Sequence, residues 1–262
     1  MKQPSYNFYP SLLDSFIGYR DCEEVWLQYW GQSDTPKKSL AEFQEEKRLD
    51  LIDKINRKGM EWEDAFYADR GTAFNEVIDR IITGSKENTD QVTIGRVGET
   101  ICAAINRRMF YFDATICKNI AGKYMTAVPQ VLCNGTLLTS YGNVRLYGYI
   151  DELMSDYIVD LKTSKSYSVG KFKKNMQHLV YPFCMQQAGQ EIKHFIYDIA
   201  IFSDKTGEIT ELYEEVYPYY QDEAEQKLKA VCEEFIEFIE KHRELITDKK
   251  IFNQHGTEEN IK

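Results

Sequence analysis

Apolar residues recur at helical spacing in two clear stretches. From Thr72 to Ile82, Phe74, Val77, Ile78 and Ile81 fall on one face. From Gln221 to Ile246 a stripe runs through Leu228, Val231, Phe235, Phe238 and Ile239. Both patterns predict amphipathic helices. Pro10 to Trp30 reads as a helix of mixed polarity, with Ser11 as an N-cap ahead of an apolar stripe. Residues 39–60 form a highly charged helical pattern, and residues 96–122 read as one or two further helices. The stretches 31–38 and 84–91 are rich in turn residues and read as loops.

The pattern changes after Lys123. Met125 to Cys133 and Asn143 to Ile150 read as strands, separated by a turn at Gly135. Tyr157 to Thr163 is a third strand, and the short link Met154-Ser155-Asp156 predicts an antiparallel hairpin with the strand before it. Residues 168–188 are helical in pattern, interrupted by Pro182. Ile192 to Ser203 and Glu208 to Tyr217 read as two strands joined by the turn sequence Asp204-Lys-Thr-Gly207. The tail, 248–262, is polar and expected to be loose. This order predicts an α+β (mixed α/β) fold, with a central mixed sheet flanked by helices. It also predicts one domain over 1–247, mainly helical over 1–122 and sheet-containing over 123–247.

With 262 residues, 43% of them hydrophobic and 13% aromatic, the chain can bury a sizeable core. No stretch approaches the roughly 18 apolar residues of a membrane span, and the first residues lack the apolar run of a signal peptide. The six cysteines include no close pair of the zinc-ribbon kind. These features predict a soluble cytoplasmic protein with free thiols and no membrane partner. The net charge of −10 argues against a broadly basic nucleic-acid surface. Residues 161–190 are the exception, because they hold five lysines (Lys162, Lys165, Lys171, Lys173 and Lys174) and no acid. They form either a solvated helix face or a set of phosphate contacts.

The chemistry concentrates in one stretch, Tyr147-Gly-Tyr-Ile-Asp-Glu-Leu-Met-Ser-Asp-Tyr-Ile-Val-Asp-Leu-Lys-Thr-Ser-Lys165. Side chains in a strand repeat every two residues, so Asp160 and Lys162 share a face while Leu161 points into the core. The hairpin can return Asp151 beside them. Two crowded carboxylates repel each other unless a cation joins them, and such oxygen ligands suit Mg²⁺ or Mn²⁺. The plainer alternative is a hairpin with an exposed Asp–Lys pair.

Gly148-Tyr-Ile-Asp, then Ile158-Val-Asp-Leu-Lys-Thr-Ser, then Gln177-His-Leu-Val-Tyr181 resembles the RecB-like branch of the PD-(D/E)XK nucleases. The resemblance implies a restriction-endonuclease-like core. It implies that Asp151, Asp160 and the Leu161 carbonyl bind Mg²⁺ or Mn²⁺, that Lys162 is catalytic, and that Gln177 and Tyr181 join the active site. Arg70-Gly-Thr-Ala-Phe-Asn-Glu76 resembles the branch's Gly-x-x-x-His helix, with Asn75 in the histidine's place. Glu76 and Glu99 are possible substitutes as metal ligands, and Gln130 sits where some relatives carry a glutamate. Ser11 to Trp26 resembles the first helix of the same branch.

Relatives with an iron–sulfur cluster use one N-terminal and three C-terminal cysteines. Cys22 fits the first place but the trio is missing, so no cluster is expected. The implied function is a metal-dependent DNA nuclease, an exonuclease processing ends in recombination, repair or phage replication. The alternatives are an endonuclease of the same fold and a catalytically weak DNA-binding or structural protein. DNA is the implied partner, contacted by Lys165, Lys171, Lys173 and Lys174. A single-strand annealing protein is a further implied partner. The chain has no GxxxxGK[ST] phosphate loop, so any helicase must be a separate protein.

Overall fold

The computed structural model describes residues 5–252. In chain order its first half contains β1 (Tyr6–Phe8), α1 (Pro10–Arg20), α2 (Cys22–Trp30), α3 (Leu40–Ile55), α4 (Phe66–Thr83), β2 (Thr93–Val97), β3 (Thr100–Ile105), β4 (Arg108–Asp113) and α5 (Ala114–Lys123). The second half contains β5 (Val128–Thr139), β6 (Gly142–Leu153), β7 (Tyr157–Ser164), α6 (Gln177–Gln187), β8 (His194–Phe202), β9 (Ile209–Pro218) and α7 (Gln221–Lys241). The fold is α+β with a mixed central sheet. Among the described residues no helix is long and apolar enough to cross a membrane.

The central sheet runs β1-β6-β7-β8-β9, with β5 along the other edge of β6. β7 and β8 are parallel, joined through α6, and the remaining pairs except β1–β6 are antiparallel. Helices pack on both faces around β7 and β8. On one side α1, α6 and α7 pack Phe16, Tyr181 and Phe235 against Leu146, Ile150, Ile158 and Phe195. On the other, α4, α5 and the small β2-β3-β4 sheet pack Phe74, Ile78, Phe112 and Ile120 against Val159, Leu161 and Phe202. A strand buried on both faces reads as a near-continuous apolar run, which is why Ile158-Val159-Asp160-Leu161 is apolar except at Asp160.

Several elements differ from the sequence expectation. The helices expected over 96–122 reduce to α5, and before it come strands. Ile101, Ala103 and Ile105 alternate inward in β3 and meet Phe110 and Phe112 of β4. The hairpin between them turns at Asn106 (φ 49°) and Arg107 (φ 64°), both left-handed, the geometry that suits the twist of a tight hairpin. The usual glycine is absent there, so the turn is hidden in the sequence.

Gly135 does not turn the chain either. It lies inside β5, and a Cβ there would meet the Cys184 backbone and the Phe183 ring of α6 at 3.2 Å. The glycine lets α6 lie close on the sheet, and the turn comes at Ser140 and Tyr141 instead. The first helix breaks at Asp21, whose carboxylate takes Arg20 at 2.9 Å and Lys174 at 2.8 Å. Helix α6 begins only at Gln177, because the Gly170 and Lys171 N–H groups bond Glu215 in a preceding turn. The last helix ends at Lys241, followed by a 3₁₀ turn over Arg243–Leu245. The expected loose tail starts with buried Ile251 and Phe252, and Phe252 bridges Tyr6. Residues 253–262 lie outside the described residues.

Candidate active site

The site forms where β6 and β7 part. Their ladder pairs Leu153 with Ile158 and Glu152 with Val159 and then ends. The next rung would set Asp151 opposite Asp160. On the other side of β6, Pro129 pairs with Glu152 and Val131 with Ile150, while Gln130 takes a left-handed backbone (φ 54°). Asp151 therefore has no registered strand partner on either side among the described residues. Its side chain fills part of the gap: Oδ2 accepts the Leu161 N–H at 2.9 Å and the Asn75 amide at 3.1 Å from α4.

Asp160 is 2% exposed. Its Oδ2 pairs with the Lys162 ammonium at 2.6 Å, and its Oδ1 accepts from the Gln177 side chain. Gln177 closes the triangle, because its Oε1 accepts from Lys162 at 2.7 Å. Gln177 is the first residue of α6 and Tyr181 follows one turn later, on the same side. The Tyr181 ring fills the place a side chain would take at Gly148, where a Cβ would lie 2.7 Å from the ring. Asp151, Asp160, Leu161, Lys162, Gln177, Tyr181 and Asn75 are thus brought together.

The electrostatics follow from burial. Desolvation first, then the charge of Asp160, raises the Asp151 carboxyl well above its ordinary range; Lys162 and the Leu161 N–H oppose this. Burial also raises Asp160, against the pull of Lys162 and Gln177. Desolvation and the nearby Asp160 charge raise the Tyr181 hydroxyl too. Two sunken carboxyls share one ammonium, so the cluster is short of one positive charge or one proton. Asn75 Oδ1 is shielded from solvent and has no hydrogen-bond partner among the described residues. An orphaned carbonyl oxygen beside undercompensated carboxylates is a donor set that fits a hard divalent cation. Among the described residues no group of three or more His, Cys, Asp or Glu side chains is arranged to hold a metal. Any cation here must accordingly rely on the amide and main-chain oxygens as well as the two acids.

Three acids near the site escape a motif-based reading. Asp14 of α1 accepts the Met176 N–H at 2.7 Å, just ahead of Gln177, and burial pushes its carboxyl up to about 6. Asp79 of α4 and Glu152 of β6 form a buried carboxyl pair. Desolvation is the main cause that lifts Asp79 to about 6 and Glu152 to about 10. Among the described residues no other donor reaches Glu152, so the two bond by sharing a proton. Gln130 donates to Asp79 at 2.9 Å. The helical spacing of Asn75 and Asp79 was the available signal for Asp79. Asp14 had none, because its contact spans 162 residues.

The other candidates scatter. Glu99 sits exposed in the β2–β3 turn, paired with Arg96 at 3.4 Å. Glu76, raised by burial, has Arg80 as its charged neighbour. Lys165 pairs with Asp204 at 3.1 Å and lies over the Tyr67 ring. Lys171 donates to the Ser166 carbonyl at 2.7 Å, Lys174 holds Asp21, and Lys173 is exposed.

No family model matches the chain, and no curated protein matches it. Among solved structures it is similar to SSO0001, at 11% identity over 90% of this chain and 78% of that one, with a TM-score of 0.39. It is also similar to a protein from Eubacterium rectale described as a "Putative exonuclease", at 15% identity over 82% of this chain and 84% of that one, with a TM-score of 0.41. At these values neither neighbour carries an assignment.

Proposed function

We propose that the chain is a metal-dependent DNA nuclease of the PD-(D/E)XK type, acting as an exonuclease on DNA ends. One observation carries this reading: Asp151 and Asp160 are held at the parting of two strands with one nearby ammonium, that of Lys162 on Asp160, for the two acids, beside Asn75 Oδ1, which has no partner among the described residues. Asp151, Asp160, the Leu161 carbonyl and Asn75 Oδ1 would hold Mg²⁺ or Mn²⁺. When bound, the ion would polarise a phosphate oxygen and acidify a water.

The chain's own residues would do the rest. Lys162 would hold the attacking water or offset charge growing on the phosphate oxygens as the phosphodiester bond breaks. Gln177 keeps the Lys162 ammonium and the Asp160 carboxylate in a fixed mutual position. Tyr181 fixes the start of α6 on Gly148. A cluster pre-arranged in this way reorganises little during reaction, which is where most of the catalytic gain would lie.

The test is incubation of the purified chain with linear and covalently closed circular DNA, in Mg²⁺ or Mn²⁺ and in chelator. Loss of mass from linear ends alone supports the exonuclease, and nicking of circles would make it an endonuclease. A second reading, a DNA-binding protein with little activity, draws on both Asp160 oxygens being engaged by Lys162 and Gln177. Binding without cleavage of either substrate would favour it.

A further inference from the structure

Side chains at Arg145, Tyr147 and Tyr149 alternate along β6 and therefore share one face, which runs up to Asp151, where the regular pairing lapses. The opposite positions, Val144, Leu146, Gly148 and Ile150, are buried beneath α6 and α7. Helix α4 covers the first face only at its Asp151 end, through Asn75. Farther back the face is open: Tyr149 is 50% exposed, and Leu132, opposite it on β5, is 44% exposed.

This open face interleaves rings and cations. The Arg145 guanidinium lies 5.6 Å from the Tyr147 ring centre. Arg57, at the end of α3, donates to the Tyr147 hydroxyl at 3.2 Å and lies 5.8 Å from the Tyr9 ring. Tyr9 and Tyr147 have ring centres 5.8 Å apart. Arg57 also pairs with Asp248 at 2.8 Å, whereas Arg145 forms no ion pair among the described residues. The β5 residues opposite these positions, Leu132, Asn134 and Thr136, carry no charge. In a chain of net charge −10, Arg145, Tyr147 and Tyr149 and the β5 residues opposite them include one cation and no acid, and Asp248 meets the patch only through Arg57.

We propose that this face of β6 is a binding track for single-stranded DNA, leading to Asp151. The proposal deepens the nuclease reading and rests on it for the direction of the track. Rings stack on bases and guanidinium groups pair with phosphates, which is how strands are held without regard to sequence. The strand must be single, because an aromatic ring on an open sheet can stack only on bases that are out of a duplex. The lysines after β7 are a weaker candidate, since Lys165 and Lys174 already pair with the chain's own acids.

Fluorescence anisotropy of labelled oligo(dT) and of a hairpin duplex tests this, with the full chain in chelator so that no cleavage intervenes. The comparison is wild type against Tyr149→Ala, Arg145→Gln and the control Lys205→Gln, each first shown to melt like wild type. Tyr149→Ala should weaken oligo(dT) binding about ten-fold and duplex binding much less. Arg145→Gln should flatten the log–log salt slope by about 0.7. Unchanged oligo(dT) affinity in both variants overturns the track, as does a wild-type chain that ignores oligo(dT) or prefers duplex. If the chain cleaves no DNA with Mg²⁺ or Mn²⁺ yet shows these losses, the nuclease reading falls and the track stands. If it cleaves and the variants bind like wild type, the reverse holds.

Discussion

Asn75 donates its amide hydrogen to the same Asp151 oxygen that takes the Leu161 N–H, while its own carbonyl oxygen points into a shielded space without a partner. The residue bridges α4 to β6 through one end and offers a ligand through the other. An amide oxygen is a weak ligand, and imidazole in its place would favour the later transition metals. Asn75→His should therefore tighten Mn²⁺ binding more than Mg²⁺ binding in calorimetric titration. Asn75→Ala should weaken binding far less than Asp160→Asn. An Mn²⁺ affinity unmoved by Asn75→His would place residue 75 away from the ion.

Asp160→Asn and Lys162→Ala are each expected to lower cleavage by about 10²–10³ or more while the protein stays folded. Asp160 lies in the sheet with an unfavourably buried charge, so the neutral isostere should melt no lower than wild type at neutral pH. The check is initial cleavage rate beside thermal melting. A folded Lys162→Ala protein with near wild-type rate would remove the lysine from the mechanism.

Acid pairing should make stability depend on pH in an unusual direction. Asp79 at about 6 and Glu152 at about 10 hold protons more tightly folded than unfolded. Between the ordinary carboxyl range, roughly 4, and these values the native state binds more protons, so their contribution falls as pH rises. It is complete in mild acid, fades through pH 6 for Asp79 and continues to fade toward pH 10 for Glu152. Glu152→Gln keeps a donor for Asp79 without titrating. Urea denaturation in chelator should show the variant gaining on wild type steadily from pH 5 to 9. A difference independent of pH would mean the pair does not share a proton.

Gly148 lies against the Tyr181 ring, and a methyl group at 2.7 Å cannot be absorbed without movement. Gly148→Ala should cost about 1–3 kcal/mol of stability, the usual range for overpacking, and should lower activity by displacing the start of α6. Adding Tyr181→Ala should relieve part of that cost, so the double variant should be more stable than the sum of the singles. Denaturant titration of the four proteins measures the coupling. Strict additivity would disconnect the glycine from the ring.

Replacing Lys171, Lys173 and Lys174 with Gln separates the lysine window from the β6 face. If these lysines meet phosphates, the salt slope for DNA binding should flatten, by up to about 0.9 per lysine on duplex. Lys173 should dominate, because Lys174 already holds Asp21. An unchanged slope returns the window to a solvated surface.

Much of this architecture was legible in the sequence because periodicity reports burial. The stripes of α4 and α7 and the strand around Asp160 were readable from spacing, which also put Asp160 and Lys162 on one face, while the short link before Tyr157 brought Asp151 near them. That the strand is buried on both faces was not read. What stayed hidden depends on partners remote in sequence. The β3–β4 hairpin turns on Asn106-Arg107 without glycine, and Gly135 looked like a turn because the helix pressing on it lies some 50 residues later. Asp14 reaches the site only through the packing of α1 on α6. The Asp79–Glu152 pair needs the register of a helix against a strand, which no local pattern encodes.

The lapse of both ladders at Asp151 has a mechanical meaning. Regular pairing on both sides would have fixed the height and tilt of this carboxylate to the whole sheet. As built, it sits on a joint, tied by two side-chain bonds that can lengthen without unzipping a strand. Amide hydrogens of residues 150–152 should then exchange faster than those of neighbouring Val144 and Leu146, in the manner of a local opening. Occupation of the site by a cation should slow them selectively, leaving the rest of β6 untouched.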